Sequence, residues 1–132
     1  MCSMCGPKKA WIVDVASVST LVRDAVPIAK QLLAIAHGAG LAPRCTSARR
    51  SSADQARLYR DWKAGRSRFP AAPPGASLHE QGLAFDLALD VAEPYRSWGL
   101  RALGELWERA GFTWGGRFND PIHFDFRPRG GG

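Results

Sequence analysis

An α+β fold is the class this sequence predicts, on three observations. Amphipathic runs of helical period and strictly alternating runs both occur along the chain. They are mixed without the regular strand–helix–strand repeat of a parallel α/β sheet. With 132 residues, 45% of them hydrophobic, the chain can bury one core without disulfide staples. A single composition runs throughout, so one domain is expected at residues 10–128, between a loose start at 1–9 and a loose tail at 129–132.

The first helix is read in "VPIAKQLLAIAHGAGL". Pro27 suits its first turn, Ile28, Leu32, Ile35 and Ala36 form its apolar face, and Gly38 or Gly40 stops it. "PRCTSA" is short and extended. "RSSADQARLYRDWKAGR" is a second helix, capped by Ser51 or Ser52, with Gln55 as a capping-box partner and Ala56, Leu58, Tyr59 and Trp62 as its stripe. "SRFPAAPPGAS" is a proline- and glycine-rich loop. In "LAFDLALDV", Leu83, Phe85, Leu87, Leu89 and Val91 alternate with Ala84, Asp86, Ala88 and Asp90, the pattern of a strand with one buried face. "SWGLRALGELWERAG" is a third helix from a Ser97 cap to a Gly111 stop, with Leu100, Leu103, Trp107 and Ala110 inward. "FTWGG" and "IHFDF" close the chain as short strands.

The net charge of +6 suits a polyanionic partner, be it nucleic acid, an acidic membrane surface or an anionic cell wall. The basic residues are scattered, and the aromatic residues do not interleave with them in a surface-like pattern, which argues against nucleic acid. Cys2, Cys5 and Cys45 are an odd count; Cys2 and Cys5 have the spacing of half a zinc knuckle whose second half is missing, and read as incidental thiols. The start lacks a basic segment followed by an adequate apolar run, and no stretch is long enough to insert in a membrane. Synthesis in the cytoplasm without a signal peptide or disulfides is the expectation.

The chemistry concentrates in "SLHEQGLAFDL". His79-Glu80 begins like the H-E-x-x-H zinc protease motif, but Leu83 stands at the second histidine position and Gly82 interrupts any helix. The strand pattern supplies another arrangement. Asp86 lies on a face of small residues, flanked by Ala84 and Ala88, and His79 precedes it across Gly82. In "DPIHFDF", Ile122, Phe124 and Phe126 face the core and His123 faces away. Two histidines and a carboxylate, with one position left for water, are a catalytic zinc complement. Singly, these are a loop histidine, a solvated carboxylate and an edge-strand histidine; together they form a set, because an aspartate in so apolar a strand needs a partner. Asp120, in a turn favoured by Pro121, is the candidate general base, and zinc brings the pKa of water from about 15.7 to about 7, within a carboxylate's reach.

These segments resemble the M15 zinc peptidases, also called the D-Ala-D-Ala carboxypeptidase or LAS family. "SLHEQGLAFD" is similar to their S-x-H-x-x-G-x-A-x-D motif, "GFTWGGRFNDPIHFDF" to their W-G-G…D-x-x-H-F segment, and "SARRSSADQARLY" to their S-G-Y-R-S-x-x-x-Q-x-x-L-Y segment. The three motifs keep the family's order over residues 44–126. The resemblance implies a small antiparallel sheet packed with helices in a hedgehog/D,D-peptidase-like fold. It implies one zinc ion on His79, Asp86 and His123, with Asp120 as general acid/base. It also implies Arg50 as a catalytic and substrate-binding residue, Ser77 near the substrate, Gln55 orienting its neighbours, and Trp114, Gly115 and Gly116 shaping the cleft wall. The chain departs from the pattern at Ala48, Arg49, Glu80 and Gln81, and the segment from Gly116 to Asp120 is shorter than in many relatives.

Aspartate at the base position is similar to the L-alanyl-D-glutamate endopeptidases of phage endolysins. The resemblance therefore implies an enzyme that cuts the L-Ala–D-Glu bond of the peptidoglycan stem peptide, at the wall, after holin-type release; a monomer is the expectation. A D-alanyl-D-alanine carboxypeptidase of the same fold, and a non-catalytic zinc-containing wall-binding module, are the alternatives. Retention of Asp120 argues against the last.

Overall fold

A computed structural model describes residues 16–89 and 97–129. Cys2, Cys5, Asp90, Val91, the N-terminal stretch 1–9 and the tail beyond residue 129 lie outside these residues. Helix α1 spans Val26–Gly38, strand β1 Pro43–Ser47, helix α2 Ser52–Lys63, strand β2 Ala84–Leu89 and helix α3 Trp98–Arg109. Strand β3 (Thr113–Trp114), a 3-10 turn (Gly115–Phe118) and strand β4 (His123–Asp125) follow. The strands form one antiparallel sheet in the order β1-β2-β4-β3, the α+β architecture expected.

Local chemistry sets the element ends. Pro27 lies in the first turn of α1, where its missing N–H costs no helical bond. Ser51 and Ser97 cap α2 and α3, their hydroxyls accepting from the backbone N–H of Asp54 and Leu100. After α1 and α3, Gly40 and Gly111 take up positive φ, which a side chain would resist.

The core lies on one face of the sheet. Phe85, Leu87 and Leu89 of β2 and Phe124 of β4 meet Ala29, Leu32, Leu33 and Ala36 of α1 and Leu100, Leu103 and Trp107 of α3. The rings of Phe85 and Phe124 stack at 5.6 Å, with Trp107 edge-on to Phe85 at 5.4 Å. The Trp107 indole N–H donates to the carbonyl of Asp125, so this large side chain is buried without an orphaned donor.

Four expectations are corrected. The buried stripe of α1 runs through Ala29, Leu32, Leu33 and Ala36, leaving Ile35 43% exposed and Ile28 at the margin. The helix is therefore rotated so that Ala29 and Leu33, rather than Ile28 and Ile35, face inward. Gln55 is no capping partner; its side chain is turned inward, 1% of the residue is exposed, and Asp54 supplies the capped N–H. Ala110 is exposed, because α3 has already ended there. Finally, β2 is the inner strand between β1 and β4, and Ala84 and Ala88 are buried along with Phe85, Leu87 and Leu89.

Candidate metal centre and cleft

The alanine face of β2 becomes a site because of register. In an antiparallel pair, directly opposed residues point to the same face. His123 opposes Asp86, and Asp125 opposes Ala84. On the other side a bulge intervenes: Cys45 opposes Leu87, yet Ser47 opposes Asp86. Thr46 is the extra residue, and it turns Ser47 from the core face onto the face of Asp86.

His79 reaches the same place from a tight turn over residues 77–82. The Ser77 hydroxyl accepts from the His79 N–H at 3.1 Å, and the carbonyl of His79 accepts from the N–H of Arg50 at 3.0 Å. Gly82 ends the turn at φ 72°; a Cβ there would strike the Arg49 guanidinium. Arg49 in turn donates through Nε to the carbonyl of Thr20 at 2.8 Å, holding the chain that precedes α1.

The result is one group of metal-capable side chains among the described residues: His79, Asp86 and His123, with ligand atoms all within 4.8 Å of one another. His79 Nε2 lies 3.2 Å and His123 Nδ1 3.6 Å from Asp86 Oδ1. The far nitrogen of each ring is occupied. His79 Nδ1 is 2.8 Å from the carbonyl of Ala48, and His123 Nε2 is 2.7 Å from Asp125 Oδ2. Since a carbonyl and a carboxylate can only accept, those far nitrogens carry protons, which leaves the nitrogens that face Asp86 as the ones a metal would bind. Two imidazoles and a carboxylate that converge in this way fit the donor set of a catalytic zinc site with a position to spare.

Electrostatics agree with the geometry. Burial works to raise the Asp86 carboxyl, but hydrogen bonds from His123 and His79 hold it well below the usual carboxylate range. Burial works to lower His123, yet Asp125 and Asp86 push it up to about 9. Asp120 is raised, first by burial and then by the negative charge of Asp86. That direction makes it a better proton acceptor than a solvated aspartate.

These groups open onto a cleft of about 730 Å³, whose lining includes Arg50, Gln55, Ser77, His79, Asp86, Asp120 and His123. Arg50 is largely buried, with Nη2 at 2.6 Å from the Ser47 hydroxyl and 3.6 Å from Asp86 Oδ2. Its Nη1 donates to Gln55 Oε1 at 2.8 Å, while Gln55 Nε2 donates to the carbonyl of Ala72 at 2.8 Å. Gln55 therefore has both ends engaged and acts on Arg50. Ser77 likewise spends its hydroxyl on the His79 turn.

Trp114 is not part of the cleft lining. Its Nε1 donates to the carbonyl of Pro121 at 2.8 Å, and its indole is packed between Gly104 and Gly116 so closely that a Cβ on either would overlap the ring. Gly115 is needed for a different reason, since a Cβ there would strike the carbonyl oxygen of Asp120 and the Cβ of His123. The W-G-G segment thus shapes the cleft from beneath, by letting the turn that carries Asp120 and His123 close in. In that turn the Asp120 N–H donates to Gly115 and the Asp120 carbonyl accepts from His123, at 2.8 and 3.0 Å.

Three participants were not singled out from the sequence. Asp125 was legible, since it stands two residues after His123 and so on the same strand face. Ser47 was not, because its facing depends on the bulge. Glu80, which accepts from the Ser52 hydroxyl at 2.7 Å and from the Gly75 N–H at 2.9 Å, ties the loop before His79 to the start of α2. That bond depends on a meeting of segments no local pattern encodes.

Comparison with known proteins is consistent with this arrangement. Residues 71–126 match the M15 peptidase family described as D-alanyl-D-alanine carboxypeptidase. No curated protein matches the chain. Among solved structures, the chain is similar to a variant of the vancomycin resistance D,D-pentapeptidase VanY in complex with Zn(II), at 23% identity and a TM-score of 0.63, over 80% of this chain and 72% of VanY. It is similar to the L-Ala D-Glu endopeptidase ChiX of Serratia marcescens at 19% identity and a TM-score of 0.60, over 86% of both chains. The vancomycin resistance D,D-dipeptidase VanXYg, in complex with a D-Ala-D-Ala phosphinate analogue, shares 22% identity and a TM-score of 0.63, over 83% of this chain and 51% of its own. At these identities the likeness to solved structures is one of fold.

Proposed function

From the premise of an M15-like chain, in fold and in the segment 71–126, we propose that the protein is a zinc-dependent peptidase acting on peptidoglycan stem peptides, and that it cuts the L-Ala–D-Glu bond. The observation that carries the reading is the cleft itself, which brings Asp120 and Arg50 onto the same lining as the convergent set His79, Asp86 and His123. Those three residues would hold a zinc ion, which would supply Lewis acidity toward the scissile carbonyl and an acidified water.

The chain's own groups do the rest. Asp120, its basicity raised by burial and by Asp86, takes the proton from the attacking water and returns it to the departing nitrogen. Arg50, held by Ser47 and Gln55 with its charge supported by Asp86, stabilises the negative charge that develops on the carbonyl oxygen. The backbone of Ala48 and the carboxylate of Asp125 engage the far nitrogen of each imidazole and so orient the near one toward the metal position.

Aspartate as the base, and the likeness in fold to ChiX, support the endopeptidase. The family description and the two vancomycin resistance structures favour a second reading, a D-alanyl-D-alanine carboxypeptidase. Action at the cell wall, with release as an endolysin, belongs to the same proposal, and the positive net charge suits an anionic wall.

The test is a digest of purified peptidoglycan by the wild-type protein and by Asp120→Ala, with the new termini read by mass spectrometry. New N-terminal D-Glu from the wild type, and at least about 100-fold less from the variant, is the expected result. Free D-alanine instead would move the enzyme to the carboxypeptidase. No product from a zinc-loaded wild type would leave a binding module.

A further inference from the structure

Two histidines face the proposed metal position, but they are held in different ways. His79 is braced by a neutral backbone carbonyl, that of Ala48. His123 is braced by a carboxylate, Asp125, which has no exposed surface. Such a buried charge is tolerated only if it is compensated. The compensation is nearby: Arg127 donates its backbone N–H to Asp125 Oδ1 at 2.9 Å, its Nε to both oxygens at 3.1 and 3.2 Å, and its Nη2 to Oδ2 at 2.8 Å. Oδ2 also receives His123 Nε2 at 2.7 Å. The chain of contacts therefore runs from Arg127 through Asp125 to His123, along one face of β4 and its exit.

We propose that Asp125, clamped by Arg127, is a positioning residue that fixes His123 with Nδ1 toward the metal and sets the affinity of the site for zinc. The inference rests on the reading of His123 as a metal ligand and adds to it the group that makes it one. Geometry gives the reason. A histidine on a strand reaches its neighbour's face with either nitrogen, depending on the rotation of the ring. The register puts Asp125 opposite Ala84 and His123 opposite Asp86, so the carboxylate sits one pleat along from the ligand set. With Nε2 engaged by Asp125 Oδ2, Nδ1 is the nitrogen left on the side of Asp86, 3.6 Å from its Oδ1, where a metal would displace a proton. Arg127 holds the carboxylate from its other side, and its guanidinium lies over the Phe118 ring at 6.0 Å, itself beside His123 at 5.9 Å. Both oxygens of the Asp125 carboxylate are thus engaged by Arg127, which fixes its plane beside the ring. Carboxylates that hold a metal-ligating histidine in this manner are worth roughly 10- to 100-fold in metal affinity.

The experiment measures zinc binding to the full chain by competition with a chromophoric chelator, for the wild type, His79→Ala and Asp125→Asn. Thermal melts of the zinc-free proteins report whether each is folded. The expected result is one zinc on the wild type, none retained by His79→Ala, and an affinity about 10- to 100-fold weaker for folded Asp125→Asn. Wild-type affinity in folded Asp125→Asn would overturn the inference and leave the metal site standing. Absence of zinc binding by the wild type would overturn both. Should Asp125→Asn not fold, nitrogen NMR of the zinc-loaded wild type decides the matter: metal on His123 Nδ1 with a proton on Nε2 supports the brace, and metal on Nε2 overturns it.

Discussion

Gln55 shows how much a single side chain contributes at second hand. It is buried on a helix whose other residues are half-buried or exposed, and it spends its amide on Arg50 and on the carbonyl of Ala72. Gln55→Ala leaves Arg50 with one fewer partner and frees the loop at Ala72. We expect kcat to fall about 10-fold or more, by loss of orientation at the oxyanion, with zinc content unchanged. Steady-state kinetics beside metal analysis checks this. His123 yields a pH dependence at the same scale. In the zinc-free protein its pKa stands at about 9 against an ordinary value of 6.5, because Asp125 and Asp86 favour its charged form. The stabilisation is therefore complete below about pH 6.5 and is lost as pH rises through about 9. Melts of zinc-free protein should decline in Tm across that window, and His123→Gln should remove the decline. The lowered carboxyls of Asp86 and Asp125 act in the opposite sense, below about pH 4.

Among elements, the W-G-G segment is the informative one, because its two glycines make room for different groups. Gly104 of α3 leaves space for the Trp114 indole at Cγ, Cδ2 and Cε2, and Gly116 leaves it at the benzene end of the same ring. Gly104→Ala forces that ring out of its slot and should destabilise the fold by about 1–3 kcal/mol in a denaturant melt. Gly115 instead lets the Asp120–His123 turn approach. Gly115→Ala should weaken zinc binding and activity by a larger factor than Gly104→Ala, which chelator competition on both variants would reveal. Strand β1 carries a parallel lesson. Its bulge at Thr46 spends one residue to re-aim Ser47, and through Ser47 it steadies Arg50.

On the scale of the whole molecule, the ligand set joins segments that are distant in the chain: the turn at His79, the centre of β2, and β4. A metal bound there ties the sheet to the loop that walls the cleft, and it binds the folded state alone. Zinc at 100 times its Kd should stabilise the protein by about 2.7 kcal/mol, reversed by chelation and absent in His79→Ala. Calorimetry with and without zinc measures it. The decline of Tm between pH 6.5 and 9 should vanish in the same samples, since Nδ1 of His123 then carries metal in place of a proton.

What the sequence determined by itself was whatever is written at short range. The period of 2 in "LAFDLAL" separated Asp86 from the core side of its strand, the same alternation turned His123 away from Phe124, and serines marked the starts of α2 and α3 and a glycine the end of α3. Three spaced motifs then sufficed to single out His79, Asp86, His123, Asp120 and Arg50. What only the tertiary structure decided was how those elements meet. The register of β2 with β4 brings His123 opposite Asp86, the bulge in β1 moves Ser47 to their side, and the rotation of α1 buries Leu33 and leaves Ile35 outward. The inward turn of Gln55 and the brace from Arg127 to His123 belong to the same group. Alternation and capping are properties of neighbours along the chain. Register, bulge and rotation are settled by which faces pack, so they depend on residues far away in the sequence.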